Sequence, residues 1–258
     1  MQTVKNELSV PTKQKQTTAL DFLKGDAFKS QVARALPKFF EPERFVRAAL
    51  NDFRMNPALG ECSVPSVLGY YLQTAALGLE PAPTLGQVYP VPFNNKKTGQ
   101  KECQFFLGYR GMLAIARRSG EVLSVDAQIV HERDEFDLTY GLEQALTHKP
   151  CLDGDPGEMR GAYCIVRFRN GGAQFAFMST AEIEAHRNRS KSKDRGPWVT
   201  DYEAMALKTV FRKLFKWLPL NIEEASAIAG DGAIYTPAAE DAEEEELLEV
   251  SFVSEDEQ

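Results

Sequence analysis

The apolar residues of this chain recur first at a helical period of about 3.6, then at a strand period of about 2, and finally at a helical period again. Residues 26–37, DAFKSQVARALP, read as a helix with Asp26 as N-cap and Pro37 as its stop. EPERFVRAALNDFRMNP is a second helix, with Pro42 in its first turn and an apolar stripe of Phe45, Ala48, Ala49 and Phe53. SVPSVLGYYLQTAALGLEP is a third, with Ser63 as cap, Pro65 inside the first turn and Gly78 at the end. The pattern then changes. LGQVYPVPFNN (85–95) and KECQFFLGY (101–109) are extended runs joined by the turn residues NNKKTGQ, and Pro90 and Pro92 confine the first to a sheet edge. A short helix over 110–118 is followed by an alternating strand, EVLSVDAQIV (121–130), and by EFDLTY as a further strand. RGAYCIVRFRNGGAQFAFMS is a hairpin turning at Asn-Gly-Gly, and STAEIEAHRNRS opens a helix with a Ser179/Glu182 capping box. DYEAMALKTVFRKLFKWL (201–218) is a strongly amphipathic last helix. The class is α+β, with N-terminal helices, a β-hairpin and a small antiparallel sheet packed with later helices. The expected organisation is a flexible N-terminus (1–19), a core (20–225) and an acidic, disordered tail (226–258).

Charge sharpens this division. The whole chain carries −7, but no Lys or Arg follows Lys216, and residues 217–258 hold thirteen Asp/Glu. Without those thirteen, 30 basic residues face 24 acidic ones, a body of +6. Residues 187–216 alone contain nine Lys/Arg against three acids. A basic body on an acidic tail admits a polyanionic partner that the net charge hides.

The basic residues cluster on two segments. In GYRGMLAIARRSG, two glycines open a helix on which Arg110, Arg117 and Arg118 share one face, with Tyr109 beside them. Glycine lets a backbone approach an anion, and a helix N-terminus adds its dipole; a plain tight turn explains the same glycines equally well. In the last helix, Leu207, Val210, Phe211, Leu214 and Leu218 form the packing stripe. Lys208, Arg212 and Lys216 step by four along another face, with Lys213 nearby, and no acid follows Glu203 on that helix to pair with them. Arg187, Arg189, Lys191 and Lys193 lie just upstream in a Ser/Asn-containing loop, and Lys96 and Lys97 sit in the first hairpin turn. Several modest cations suit a phosphodiester backbone better than one tight pocket. Trp198, after Gly-Pro and the basic loop, is the aromatic expected to be exposed for base stacking. On this pattern, Arg212→Glu is expected to abolish DNA binding without disturbing the fold.

Other chemistries find less support. The chain contains neither G-x-x-x-x-G-K-[ST] nor G-x-G-x-x-G, which disfavours an ATP-driven recombinase or helicase. The carboxylates of HERDEFD (131–137) and of DGD (153–155) are what a Mg²⁺-dependent nuclease would use, but they read as solvated turns. Cys62, Cys103, Cys151 and Cys164 form no C-x-x-C pair and read as reduced thiols. With no apolar run of eighteen and no apolar signal core, a cytoplasmic, non-membrane protein is expected.

LGQVYPVPFNN, FFLGYRGMLAIARRSG, GGAQFAFMSTAEIEAHRNRS and GPWVTDYEAMALKTVFRKLFKWLP, in this order and spacing, closely resemble the RecT family of phage-encoded single-strand annealing proteins. The resemblance runs from about residue 20 to about residue 225 and fades in both termini. It implies an ATP-independent recombinase of a bacterial host cytoplasm, without catalytic residues. Such a protein binds single-stranded DNA and annealed duplex as a homo-oligomeric ring or helical filament. The family fold holds DNA in a basic groove, and the resemblance marks Arg110, Arg117, Lys208 and Arg212 as backbone contacts, with the Arg189–Lys193 loop close by. No cofactor is required, and Mg²⁺ at most modulates binding. A metal-dependent nuclease and a passive single-strand coat are the alternatives. The acidic tail either solubilises the protein, competes with DNA for the groove, or binds a partner such as a phage exonuclease or the host single-strand-binding protein.

Overall fold

The computed structural model describes residues 18–190, 193–194 and 196–219; the N-terminal and acidic-tail expectations lie outside these residues. Four helices lead: α1 (Ala19–Lys24), α2 (Asp26–Ala35), α3 (Pro42–Met55) and α4 (Val64–Ala76). The hairpin β1 (Val88–Asn95) and β2 (Gln100–Leu107) follows, then α5 (Tyr109–Arg118). A three-stranded antiparallel sheet of order β3-β6-β7 uses β3 (Val122–His131), β6 (Met159–Phe168) and β7 (Ala173–Ser179). Between β3 and β6 the chain makes a second hairpin, β4 (Glu135–Thr139) and β5 (Ala145–Lys149). Helices α6 (Thr180–Arg187), α7 (Pro197–Thr200) and α8 (Tyr202–Phe215) complete the core. The α+β expectation holds.

Local chemistry accounts for most boundaries. Pro42 is the first residue of α3, and buried Phe45 and Ala49 form its inner stripe. Gly78 takes φ +58° beyond the end of α4, a left-handed conformation that strains any side chain. Ser179 and Glu182 close the capping box of α6. At α2, Gly25 rather than Asp26 is the cap, because α1 ends immediately before it. That first helix is held by its own Thr18–Asp21 capping box. The first strand begins at Val88 instead of residue 85, since Pro83–Leu85 forms a 3-10 turn closing on Gly86.

One continuous hydrophobic core runs from Phe45 and Tyr71 through Met112 and Ile115 to Cys164, Val210 and Phe211. Helix α4 packs on α2 and β2, while α8 lies on all three strands of the sheet. Helix α5 packs on both α8 and β3, so the two basic helices, about ninety residues apart in sequence, are neighbours. All four cysteines are free thiols, and three of them are buried. Among the described residues no helix is long and apolar enough to cross a membrane.

Candidate nucleic-acid interface

Helix α5 buries Met112, Ile115 and Ala116 and turns Arg110 and Arg117 outward, as an amphipathic helix must. These two arginines are seven residues apart, two turns along one face. Arg110 Nε donates to the Tyr109 hydroxyl at 3.3 Å, and its guanidinium lies 5.9 Å from the Tyr109 ring centre. Arg118 behaves differently. Its guanidinium donates to the carbonyls of Gly78, at 2.9 Å, and Leu77. It also lies 5.7 Å from the Phe39 ring centre. Arg118 therefore closes the C-terminal end of α4, satisfying carbonyls the helix leaves open.

The glycines at the start of α5 serve the protein's own backbone. A Cβ at Gly108 would come within 2.4 Å of the Gly86 carbonyl oxygen, and one at Gly111 within 2.2 Å of the Gln87 carbonyl oxygen. The Gly108 N–H already donates to Gln87 at 2.9 Å. The close approach made possible here is to residues 86–87, not to a phosphate.

On α8 the buried face is far wider than one stripe. Val210, Phe211, Leu214 and Leu218 are buried as expected, and so are Lys208 and Arg212, at 7% and 6% exposure. The expectation of a solvated cationic face at these two positions is corrected. Helix α8 is surrounded by α5, α6, α7 and the sheet, and neither cation is without a partner. Lys213 and Lys216 do face outward. Lys213 Nζ donates to the Phe177 carbonyl at 3.1 Å and pairs with Glu182 at 3.4 Å, so an acid from another element supplies the partner its own helix lacks.

The basic loop also divides. Arg187 Nε donates to the Lys193 carbonyl at 2.7 Å, and Arg187 pairs with Glu184 and lies over the Tyr202 ring. Arg187 thus ties the loop to α6 and α8. Arg189 is exposed, and Lys191 lies outside the described residues. Lys96 and Lys97 are exposed at the tip of the β1–β2 hairpin. Trp198 is 2% exposed, which corrects its expected role as a surface stacking platform. Its short helix α7 presses it into the core against Tyr202. The exposed tryptophan is Trp217, at 74%.

Three of the six carboxylates read as nuclease candidates have partners within the fold. Asp134 accepts from the backbone N–H groups of His131 and Cys151 and contacts His148 Nε2 at 3.1 Å, while His148 Nδ1 reaches the Tyr163 hydroxyl at 3.2 Å. Burial by itself would raise the Asp134 pKa, but these hydrogen bonds and the imidazole outweigh it and bring the value down to about 2. Glu135 pairs with Lys149 across β4–β5, and Asp155 accepts from the Gly157 N–H. Sequence reasoning also passed over the aromatic side chains of Tyr140, Phe175 and Phe177. Their signal is the alternation of Phe175 and Phe177 on β7, which puts both on one face.

Comparison with known proteins adds identity to this geometry. The RecT family model matches residues 43–247. That match extends past the resemblance seen in the sequence and into the acidic segment. The chain is 41% identical to Protein RecT of Escherichia coli (strain K12) over 223 residues, 86% of this chain and 82% of that protein. It is 26% identical to the uncharacterized protein YqaK of Bacillus subtilis (strain 168) over 228 residues, 87% of this chain and 75% of that one. With a family match over most of its length and a relative this similar, the chain belongs to the RecT family.

Proposed function

We propose that this protein anneals complementary single strands of DNA without ATP, as part of homologous recombination. Membership in the RecT family is the observation that carries this reading. The neighbouring placement of α5 and α8 supports it physically. Arg110 and Arg117 on α5, Lys96 and Lys97 on the hairpin, and Arg189, Lys213 and Lys216 neutralise phosphates along one trough. Lys208, Arg212, Arg118, Arg187 and Trp198 hold the elements that present those cations.

Contacts confined to the sugar-phosphate chain leave the base edges open to a second strand, so pairing itself selects the sequence. Each base-pair step formed releases roughly 1.4 kcal/mol, which makes an ATP site unnecessary. The protein lowers the kinetic barrier by countering the repulsion between strands and aligning them. It works as a homo-oligomer in the bacterial cytoplasm, on strands that an exonuclease exposes, with Mg²⁺ altering only the strength of binding.

A fluorescence assay with two complementary oligonucleotides, without ATP and with or without Mg²⁺, tests the reading. Annealing faster than the protein-free rate is expected. Strand shortening would indicate a nuclease, and binding without acceleration a passive coat; either result overturns the proposal.

A further inference from the structure

We infer that the open edge of β7 is a docking site for this chain's own C-terminal segment Leu248–Phe252, added as an extra strand. The inference rests on the fold and the sequence alone, independently of the annealing activity.

An open hollow of about 400 Å³ lies along that edge. Tyr140, Phe175 and Phe177 line it together with Leu214, Trp217 and the Lys213–Glu182 pair. Tyr140 is 57% exposed and Trp217 74%, so large aromatic surface stands in water here. Among the described residues β7 pairs with β6 alone, on one side. The outward N–H and C=O of Phe177 are met by two side chains, the Tyr140 hydroxyl at 3.3 Å and Lys213 Nζ at 3.1 Å. By the two-residue period of the ladder, the N–H and C=O of Phe175 point outward as well. Side chains thus cover part of an edge that a strand would pair completely.

The C-terminal sequence fits this edge in pattern and reach. In LLEVSFV, residues 247–253, the apolar side chains of Leu248, Val250 and Phe252 alternate with Glu249 and Ser251. That period of two is the period of Phe175 and Phe177. The described chain ends at Pro219, two residues beyond Trp217 in the hollow itself. The 28 residues 220–247 lie between, and a coil of that length spans about 30 Å on average, enough to fold back along the same molecule. Short tethers of this kind give effective concentrations in the mM range, so weak strand pairing suffices.

Photo-crosslinking of the full-length chain tests this. Benzoylphenylalanine placed at Phe252, irradiated without DNA, is expected to cross-link within its own chain to peptides containing Phe175–Phe177 or Lys213–Trp217. Cross-links confined to other elements overturn the inference. So do cross-links found only between chains in a mixture of ¹⁵N-labelled and unlabelled protein. In a second measurement, Leu248→Asp with Val250→Asp and Phe252→Asp in the full-length chain is expected to make Trp217 severalfold more quenchable by acrylamide, while buried Trp198 is unaffected. Unchanged quenching contradicts the docking. Protection of Trp217 in that variant by an oligothymidine, with none lost in its absence, would assign the hollow to nucleobases instead.

Discussion

Asp52 is a carboxyl group set almost wholly inside the helical half of the molecule, at 1% exposure. Burial pushes its pKa up to about 7, only partly offset by hydrogen bonds from the Tyr71 hydroxyl at 3.1 Å and Asn56 at 2.9 Å. The unfolded chain has a value near 3.8. Below that both states are protonated and this group costs nothing. As pH rises from about 4 to about 7 the unfolded state releases its proton and the native state keeps it, so stability falls, by a few kcal/mol, and then levels off. Urea midpoints between pH 4.5 and 7.5 should therefore fall in the native protein and flatten in Asp52→Asn; equal slopes would contradict this. Asp134 acts in the opposite sense. Its pKa is held near 2, so the stability it provides is present above the unfolded value and is lost as pH falls from about 4 toward 2. Two arginines make a second pair of opposites. Arg117→Glu, on the surface, should weaken single-strand binding severalfold with stability changed by no more than about 0.5 kcal/mol. Arg212→Glu inverts a buried charge and should cost on the order of 3–5 kcal/mol in urea unfolding, reversing what its helical position alone predicts. A stable Arg212→Glu that simply fails to bind DNA would restore the surface assignment.

At the scale of elements, α5 is located by contacts at both of its ends. Gly111→Ala gains helix propensity of up to about 1 kcal/mol but drives a methyl into the Gln87 carbonyl, so a net loss of about 1–3 kcal/mol is expected. Thermal unfolding of this variant reads it, and a raised midpoint would mean that residues 86–87 yield freely. The longer elements were legible because their signals are local. The apolar stripe fixed α3 and α8, and the Ser179/Glu182 box fixed the start of α6. Helix α1 has only six residues and buries two, Ala19 and Leu23, too few to show a period. In β5 every residue is exposed or half-buried, and its pairing with β4 is nonlocal. The candidate site was legible only in part for the same reason. Spacing by four places Lys208 and Arg212 on one helical face, but which face meets solvent depends on α5, α6, α7 and the sheet around α8. Likewise the loop that precedes Trp198 looks open in sequence, whereas α7 turns the indole inward.

The whole molecule separates a body of net +6 from an acidic C-terminal stretch. Within the body, two helices distant in sequence lie side by side, and α5 presents Arg110 and Arg117 on its solvent face. The central claim is that these side chains take up DNA phosphates while the buried cations of α8 hold the scaffold. Binding to a single strand by phosphate neutralisation weakens with salt in proportion to the number of phosphates engaged, with a slope of about 0.7 per contact. The most direct test is the salt dependence of oligothymidine affinity in the native protein and in Arg110→Gln/Arg117→Gln. A log–log slope smaller by about 1.4, with an unchanged unfolding midpoint, is predicted. An unchanged slope in a folded double variant would show that the DNA lies elsewhere on the molecule.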